Sequence, residues 1–205
     1  MKPYLALFLG CTLTIVKFSN GNDIPLTDGT PDLSELNIIE VLNTSEIMWF
    51  YQTSYSGEGE DTESYTCIQN KMNNISTQEY NFTQTYREDF GGERNFSLTG
   101  RFINGTKGKP PVSMLVKNPF NKTKQHTLRF WDGRGCSVFF VDLYDNTVYK
   151  ETPICELYLL DSYADRGPEH SCEVFYNASC AGRHLIFSKE CRVPVTTPVP
   201  LDDFS

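Results

Sequence analysis

From Glu46 to Tyr163 the chain is a succession of short runs in which aromatic and aliphatic residues alternate with polar ones, each ending at turn residues. EIMWFYQTSY (46–55) stops at Ser56-Gly57-Glu58-Gly59, SYTCIQNKM (64–72) at Asn73-Asn74, and STQEYNFTQTYREDF (76–90) at Gly91-Gly92. RNFSLTGRF (94–102) runs to Asn104-Gly105, PVSMLVK (111–117) to Asn118-Pro119, and QHTLRFW (125–131) to Asp132-Gly133. CSVFFVDLY (136–144) precedes Asp145-Asn146, and TPICELYLLDSY (152–163) precedes Gly167-Pro168. Tyr-, Phe-, Val- and Thr-rich runs of this length between Gly, Asn and Asp clusters read as β-strands. Eight of them in series, with short connections, predict an antiparallel meander. In the third run Tyr80, Phe82 and Tyr86 alternate with Asn81, Thr83 and Thr85; in the fourth, Phe96, Leu98 and Phe102 oppose Asn95, Ser97 and Thr99. Each strand thus has an aromatic face and a polar one, as in an antiparallel sheet with one wet side. Eight meandering strands leave edges unless they close, and a closed barrel of that size holds one small ligand.

Helical signals flank the strands. DGTPDLSELNIIEVLN (28–43) predicts a short helix with Thr30 as cap, Pro31 at the first position and acids in the first turn. A second helical segment is expected over Ser171–Ala181, followed by a last extended piece, RHLIFS (183–188).

The ends change the picture of where the protein works. Lys2, an apolar run from Tyr4 to Val16, then Ser19 and Gly21 read as a secretory signal peptide over residues 1–21. The run falls short of the roughly 20 apolar residues that a membrane-spanning helix needs. The expected domain is 22–191, followed by a Pro- and Thr-rich disordered tail over 192–205, with threonines open to O-glycosylation. Losing Lys2 and Lys17 leaves 16 basic residues against 26 acidic ones. Such a charge argues against nucleic acid and against membrane as partners.

Six cysteines remain after the signal peptide: Cys67, Cys136, Cys155, Cys172, Cys180 and Cys191. An even count in an exported chain reads as three disulfides, with connectivity open by counting alone. Without a C-x-x-C pair, neither a zinc site nor a dithiol redox site is expected. Sequons stand at Asn43, Asn74, Asn81, Asn95, Asn104, Asn121 and Asn177, which suggests a surface under glycan cover.

The order of signal peptide, short helix, eight strands and C-terminal helix, with a cysteine after the second strand, one opening the seventh and the strand CELYLLD, resembles the salivary histamine-binding lipocalins of ticks. The likeness runs from about Asp32 to Cys191. It implies an all-β, eight-stranded lipocalin barrel that binds a small molecule, with bridges Cys67–Cys191 and Cys136–Cys172; Cys155–Cys180 is then the third. It implies a secreted monomer, without a cofactor, that sequesters a biogenic amine such as histamine or serotonin. Members with fewer pocket carboxylates resemble carriers of leukotrienes, fatty acids or sterols, and some act on host immune cells.

Candidate ligand residues follow from the same comparison. Alternation puts Glu156, Tyr158 and Leu160 on one face of the eighth strand and Cys155, Leu157 and Leu159 on the other. If Cys155 bonds an outer helix, Glu156 points into the barrel, where a carboxylate is costly unless paired. An ammonium ligand would supply the partner; a place at the barrel mouth, or bonds to internal Tyr hydroxyls, are the alternatives. Tyr55 and Glu58 match a Tyr and an acid of the relatives, against the alternative of a solvated acidic turn. Trp49 belongs to an aromatic inventory suited to cation–π contact or to lipid burial. Thr127 and Ser137 stand where the relatives hold carboxylates, and Asp61 where they hold a Trp.

Two other classes compete. His126, His170 and His184 lie in no H-E-x-x-H or nucleophile-elbow context, so no catalytic residue is named and an enzyme is not expected. An immunoglobulin-like ectodomain needs a Cys…Trp…Cys core; Trp131 lies only five residues before Cys136, the wrong place. Pairing of Cys67 with Cys136 would favour that fold, and pairing with Cys191 the lipocalin.

Overall fold

The computed structural model describes residues 36–55, 65–88, 92–103, 105, 108–117, 122–143 and 154–195. Eight strands follow one another: β1 (Met48–Thr53), β2 (Thr66–Ile75), β3 (Glu79–Arg87), β4 (Glu93–Ile103), β5 (Ser113–Lys117), β6 (Thr123–Trp131), β7 (Cys136–Leu143) and β8 (Ile154–Leu160). Each pairs antiparallel with the next, and β1 pairs with both β8 and β2, which closes the ring. The closed eight-stranded barrel expected from the alternation is present.

Helix α1 (Ile38–Leu42) is capped by Asn37, whose side chain accepts from the Ile39 amide. Thr30 and Pro31, the expected start of this helix, lie outside the described residues, as do 1–21 and 196–205. The Ile38 amide donates to the Pro111 carbonyl, and Ile38, Val41 and Leu42 are buried among the interior residues Met48, Tyr80 and Phe82. The helix therefore plugs the end of the barrel where β4 meets β5 and β6 meets β7.

The eighth strand is shorter than its sequence suggests. It ends at Leu160, and Asp161–Ala164 form a helical turn, α2, instead of continuing to Tyr163. Side-chain demand explains the change. Asp161 accepts from the Trp49 indole at 2.7 Å and from Arg192 at 2.8 Å, which holds the chain out of the sheet. Helix α3 (His170–Ser179) then packs across the outside of β6 and β7, with Phe175 stacked on Phe130 at 4.9 Å.

Three disulfides form: Cys67–Cys191, Cys136–Cys172 and Cys155–Cys180. The last two fasten the two ends of α3 to the neighbouring strands β7 and β8. Cys67–Cys191 ties the segment after α3 to β2, the pairing that separates the barrel from the immunoglobulin alternative.

The expected last extended piece is largely irregular, with a two-residue strand, β9 (His184–Leu185). Its position is more informative than its length. Beyond Trp49, β1 parts from β2; His184 and Leu185 pair with Thr53 and Gln52 in the gap, and the Cys67 amide donates to the Ile186 carbonyl. Arg87 donates to the carbonyls of Glu190, Cys191 and Val193, which holds this segment against β3.

Two apolar clusters result. The interior one holds Tyr80, Phe82, Leu128, Phe139 and Tyr158, and the outer one holds Trp49, Val138, Leu157, Tyr176 and Phe187 between the wall and the C-terminal segment. Because both faces of β7 and β8 are covered, Val138, Phe139, Cys155 and Leu157 are all buried.

Candidate functional site

On β8 the faces divide as the alternation requires: Tyr158 and Leu160 pack in the interior cluster, and Cys155, Leu157 and Leu159 in the outer one. Glu156 shares the inner face, two residues from the start of β8 at Ile154, beside Phe139 on β7 and Thr53 on β1. Its side chain is only 5% exposed. That depth would be prohibitive for an isolated carboxylate.

Three side chains meet the cost. The Tyr158 hydroxyl donates to Oε2 at 2.8 Å, His126 Nε2 lies 3.0 Å from the same oxygen, and Lys124 Nζ is 3.4 Å from Oε1. Burial pushes the Glu156 carboxyl up, but Lys124, His126 and the Tyr158 bond together hold it well below the usual carboxylate range. Burial, then the neighbouring Glu156 charge, push the Tyr158 phenol well up, so it stays a donor. Tyr80, also raised by burial, stays protonated in the same way.

The alternation of β6 delivers the two basic partners. Lys124, His126 and Leu128 lie on one face of that strand, and Leu128 is in the interior cluster. Neither basic residue was singled out by sequence as a partner of Glu156, although alternation through Leu128 carries that signal. The ionised carboxylate can only accept, so His126 Nε2 donates to it. His126 is 7% exposed, and its Nδ1 has no hydrogen-bond partner among the described residues. In the neutral ring this nitrogen is a second buried acceptor beside the carboxylate.

Burial is graded along the barrel. Tyr80, Leu128 and Phe139 are at most 2% exposed, whereas the Lys124 side chain is 37% exposed. The interior is thus closed to solvent at Tyr80 and Leu128 and gains access towards the start of β6. Glu156 and His126 are buried polar groups of this interior, and the rings of Phe139 and Tyr158 cross edge to face at 5.6 Å beside them.

The other expected ligand residues fare differently. Trp49 lies on the outer side of β1: its ring packs on Phe187 at 4.9 Å in the outer cluster, and its indole N–H is engaged by Asp161. A bulge between Phe50 and Gln52 and the cover of the C-terminal segment bury both faces of β1, so alternation alone does not choose the inner one. Tyr55 is half-buried just beyond β1, with its amide bonded to Thr53 Oγ1, while Glu58 and Asp61 lie outside the described residues. Ser137 is buried in register with Tyr158, whereas Thr127 lies on the face of β6 opposite His126, 3.0 Å from Ser113 Oγ. Of the sequon asparagines, Asn43, Asn74, Asn95 and Asn177 are exposed and Asn81 is half-buried; Asn104 and Asn121 lie outside the described residues.

Among solved structures, the chain is similar to Japanin from Rhipicephalus appendiculatus bound to cholesterol, with a TM-score of 0.51 at 12% identity over 72% of this chain and 96% of that one. The siderocalin Ex-FABP follows with a TM-score of 0.46 at 9% identity, covering 65% and 82% of the two chains. Apocrustacyanin C1 gives 0.45 at 10% identity, covering 74% and 75%. No curated protein sequence matches the chain. The family model described as tick histamine binding protein matches residues 31–193. With that match over most of its length and this barrel, the chain belongs to the tick histamine binding protein family, the ligand-binding lipocalins of ticks.

Proposed function

We propose that the protein is secreted in tick saliva and sequesters a biogenic amine of the host, such as histamine or serotonin, at the end of its barrel where β6 and β8 begin, without turnover. The observation that carries this reading is the buried Glu156 carboxyl, held well below its usual range and joined to His126 and Tyr158 inside the barrel. A strongly perturbed carboxylate inside a barrel is a functional-site signature. An ammonium ligand suits it on three counts: charge for Glu156, an N–H for His126 Nδ1, and a ring for Phe139 and Tyr158. The leader-like residues 1–21 and the three disulfides support export, and capture of a host mediator would blunt inflammation and immunity at the feeding site.

One observation favours a second reading. Lys124 already balances the Glu156 charge, so the anchor as a whole also suits a neutral lipid with one hydroxyl, and the structurally similar Japanin is described as bound to cholesterol. Such a carrier would act on host immune cells through its lipid. Titration calorimetry of the secreted, deglycosylated protein with histamine, serotonin and cholesterol separates the two. Glu156→Gln should weaken an amine at least tenfold, about 1.4 kcal/mol, and scarcely touch a sterol. Unchanged amine affinity in that variant would overturn the amine reading.

A further inference from the structure

Lys124 presents a puzzle that the amine reading does not absorb. A carboxylate kept for a ligand's ammonium is already held by an ammonium of the chain itself, 3.4 Å from Oε1. The two partners differ in freedom. Glu156 is fixed in the middle of the β7–β8–β1 wall, with its side chain 5% exposed. Lys124 is the second residue of β6, and its side chain is 37% exposed. A lysine with that access can rotate its ammonium into solvent on a long flexible stem at little desolvation cost.

We propose that Lys124 is a built-in competitor for the amine site. It occupies Glu156 in the free protein and leaves when a ligand's ammonium takes its place. The inference rests on the amine reading above. The exchange is neutral: one positive charge enters the site as one returns to water. The buried carboxylate is never left with His126 and Tyr158 alone, which would be expensive. The exchange also sets specificity. Because Lys124 is tethered, its effective concentration at Glu156 is on the order of millimolar. A bare cation gains nothing over it. A ligand must add contacts that lysine cannot make, namely a ring against Phe139 and Tyr158 and an N–H to His126 Nδ1.

The test compares full-length secreted wild type with Lys124→Met, Glu156→Gln and the double variant, each titrated with histamine and with methylammonium. Lys124→Met should bind histamine at least tenfold tighter and acquire measurable methylammonium binding, and both gains should vanish in the double variant. Unchanged or weaker histamine binding in Lys124→Met, with Glu156→Gln still impaired, would overturn the competitor role and leave the amine site standing. Equal histamine affinity in wild type and Glu156→Gln, or none in any variant, would overturn both. Labelling the wild type guards against a misfolded variant. The rate at which an acylating reagent modifies Lys124, read by peptide mass spectrometry, should rise at least threefold when histamine saturates the protein. An unchanged or slower rate would overturn the exchange.

Discussion

The Tyr158 hydroxyl donates a 2.8 Å hydrogen bond to Glu156 Oε2, two residues back on the same face of β8. The strand's own alternation therefore places the donor that its buried acid needs. Replacing Tyr158 with Phe keeps the ring and deletes that donor. We expect a loss of about 1–3 kcal/mol in urea unfolding, larger than for removing an exposed hydroxyl. Full stability in Tyr158→Phe would mean that the carboxylate does not depend on this bond.

Acid should reveal the same site. The folded-state carboxyl of Glu156 is held below its ordinary value of 4.5. A depressed acid contributes stability that is complete above the unfolded value and is lost as pH falls towards the folded one. The stability advantage of wild type over Glu156→Gln should thus be constant from neutral pH to about 5, then shrink steadily below 4.5. Thermal unfolding of both proteins across that range measures it. An advantage that grows in acid would mean the carboxyl is raised, not lowered.

Trp49 offers the converse test, a large aromatic that we expect to matter for the fold and not for the ligand. Trp49→Phe loses the indole bond to Asp161 and contact with Phe187. It should cost about 1–3 kcal/mol of stability while histamine affinity stays within about twofold, under ~0.5 kcal/mol. A tenfold loss of affinity in a folded variant would return Trp49 to the ligand site.

The disulfides should not be equivalent. Cys67–Cys191 spans 124 residues, whereas Cys155–Cys180 spans 25. Chain-entropy arguments assign them about 5 and about 3.5 kcal/mol respectively. Double replacement of each pair by Ala, compared by denaturant unfolding, should therefore hurt more at Cys67 and Cys191. Equal losses would show that the longer loop gives Cys67–Cys191 no advantage over the shorter bridge.

Gly135 sits where β7 begins, and a Cβ there would clash with the Tyr163 ring. Its carbonyl accepts from Leu160, the residue at which β8 gives way to α2. Gly135→Ala should destabilise by about 1–3 kcal/mol through overpacking, measured as a lowered unfolding midpoint. A neutral result would mean that the Tyr163 ring has room to swing aside.

Alternation made most of this molecule readable. It gave the inner faces of β3, β4 and β8 because one face of each is plainly polar or carries a lone acid. It failed on β1, where Met48 and Phe50 face inward and Trp49 and Tyr51 outward, all four being hydrophobic. A period of two carries no sign when both faces are buried, and what buries the outer face is Phe187, far along the chain. The end of β8 was hidden for a related reason. Leu160 to Tyr163 reads as strand until Asp161 meets Trp49 and Arg192, partners 112 and 31 residues away. The pairing of Glu156 with Lys124 and His126 joins strands about 30 residues apart in sequence, and only the barrel's register makes them neighbours.

The wedge of residues 184–187 between β1 and β2 has a consequence for biosynthesis. The seam between the first two strands is completed by nearly the last residues of the domain to be made. While the chain is still being extruded, the barrel stands open along that side, with part of β1 and β2 as unpaired edges that invite association with other chains. Closure must wait for residues 184–187, and its permanence for the pairing of Cys67 with Cys191. A nascent chain of this kind should keep those edges exposed until residues 184–191 have been made.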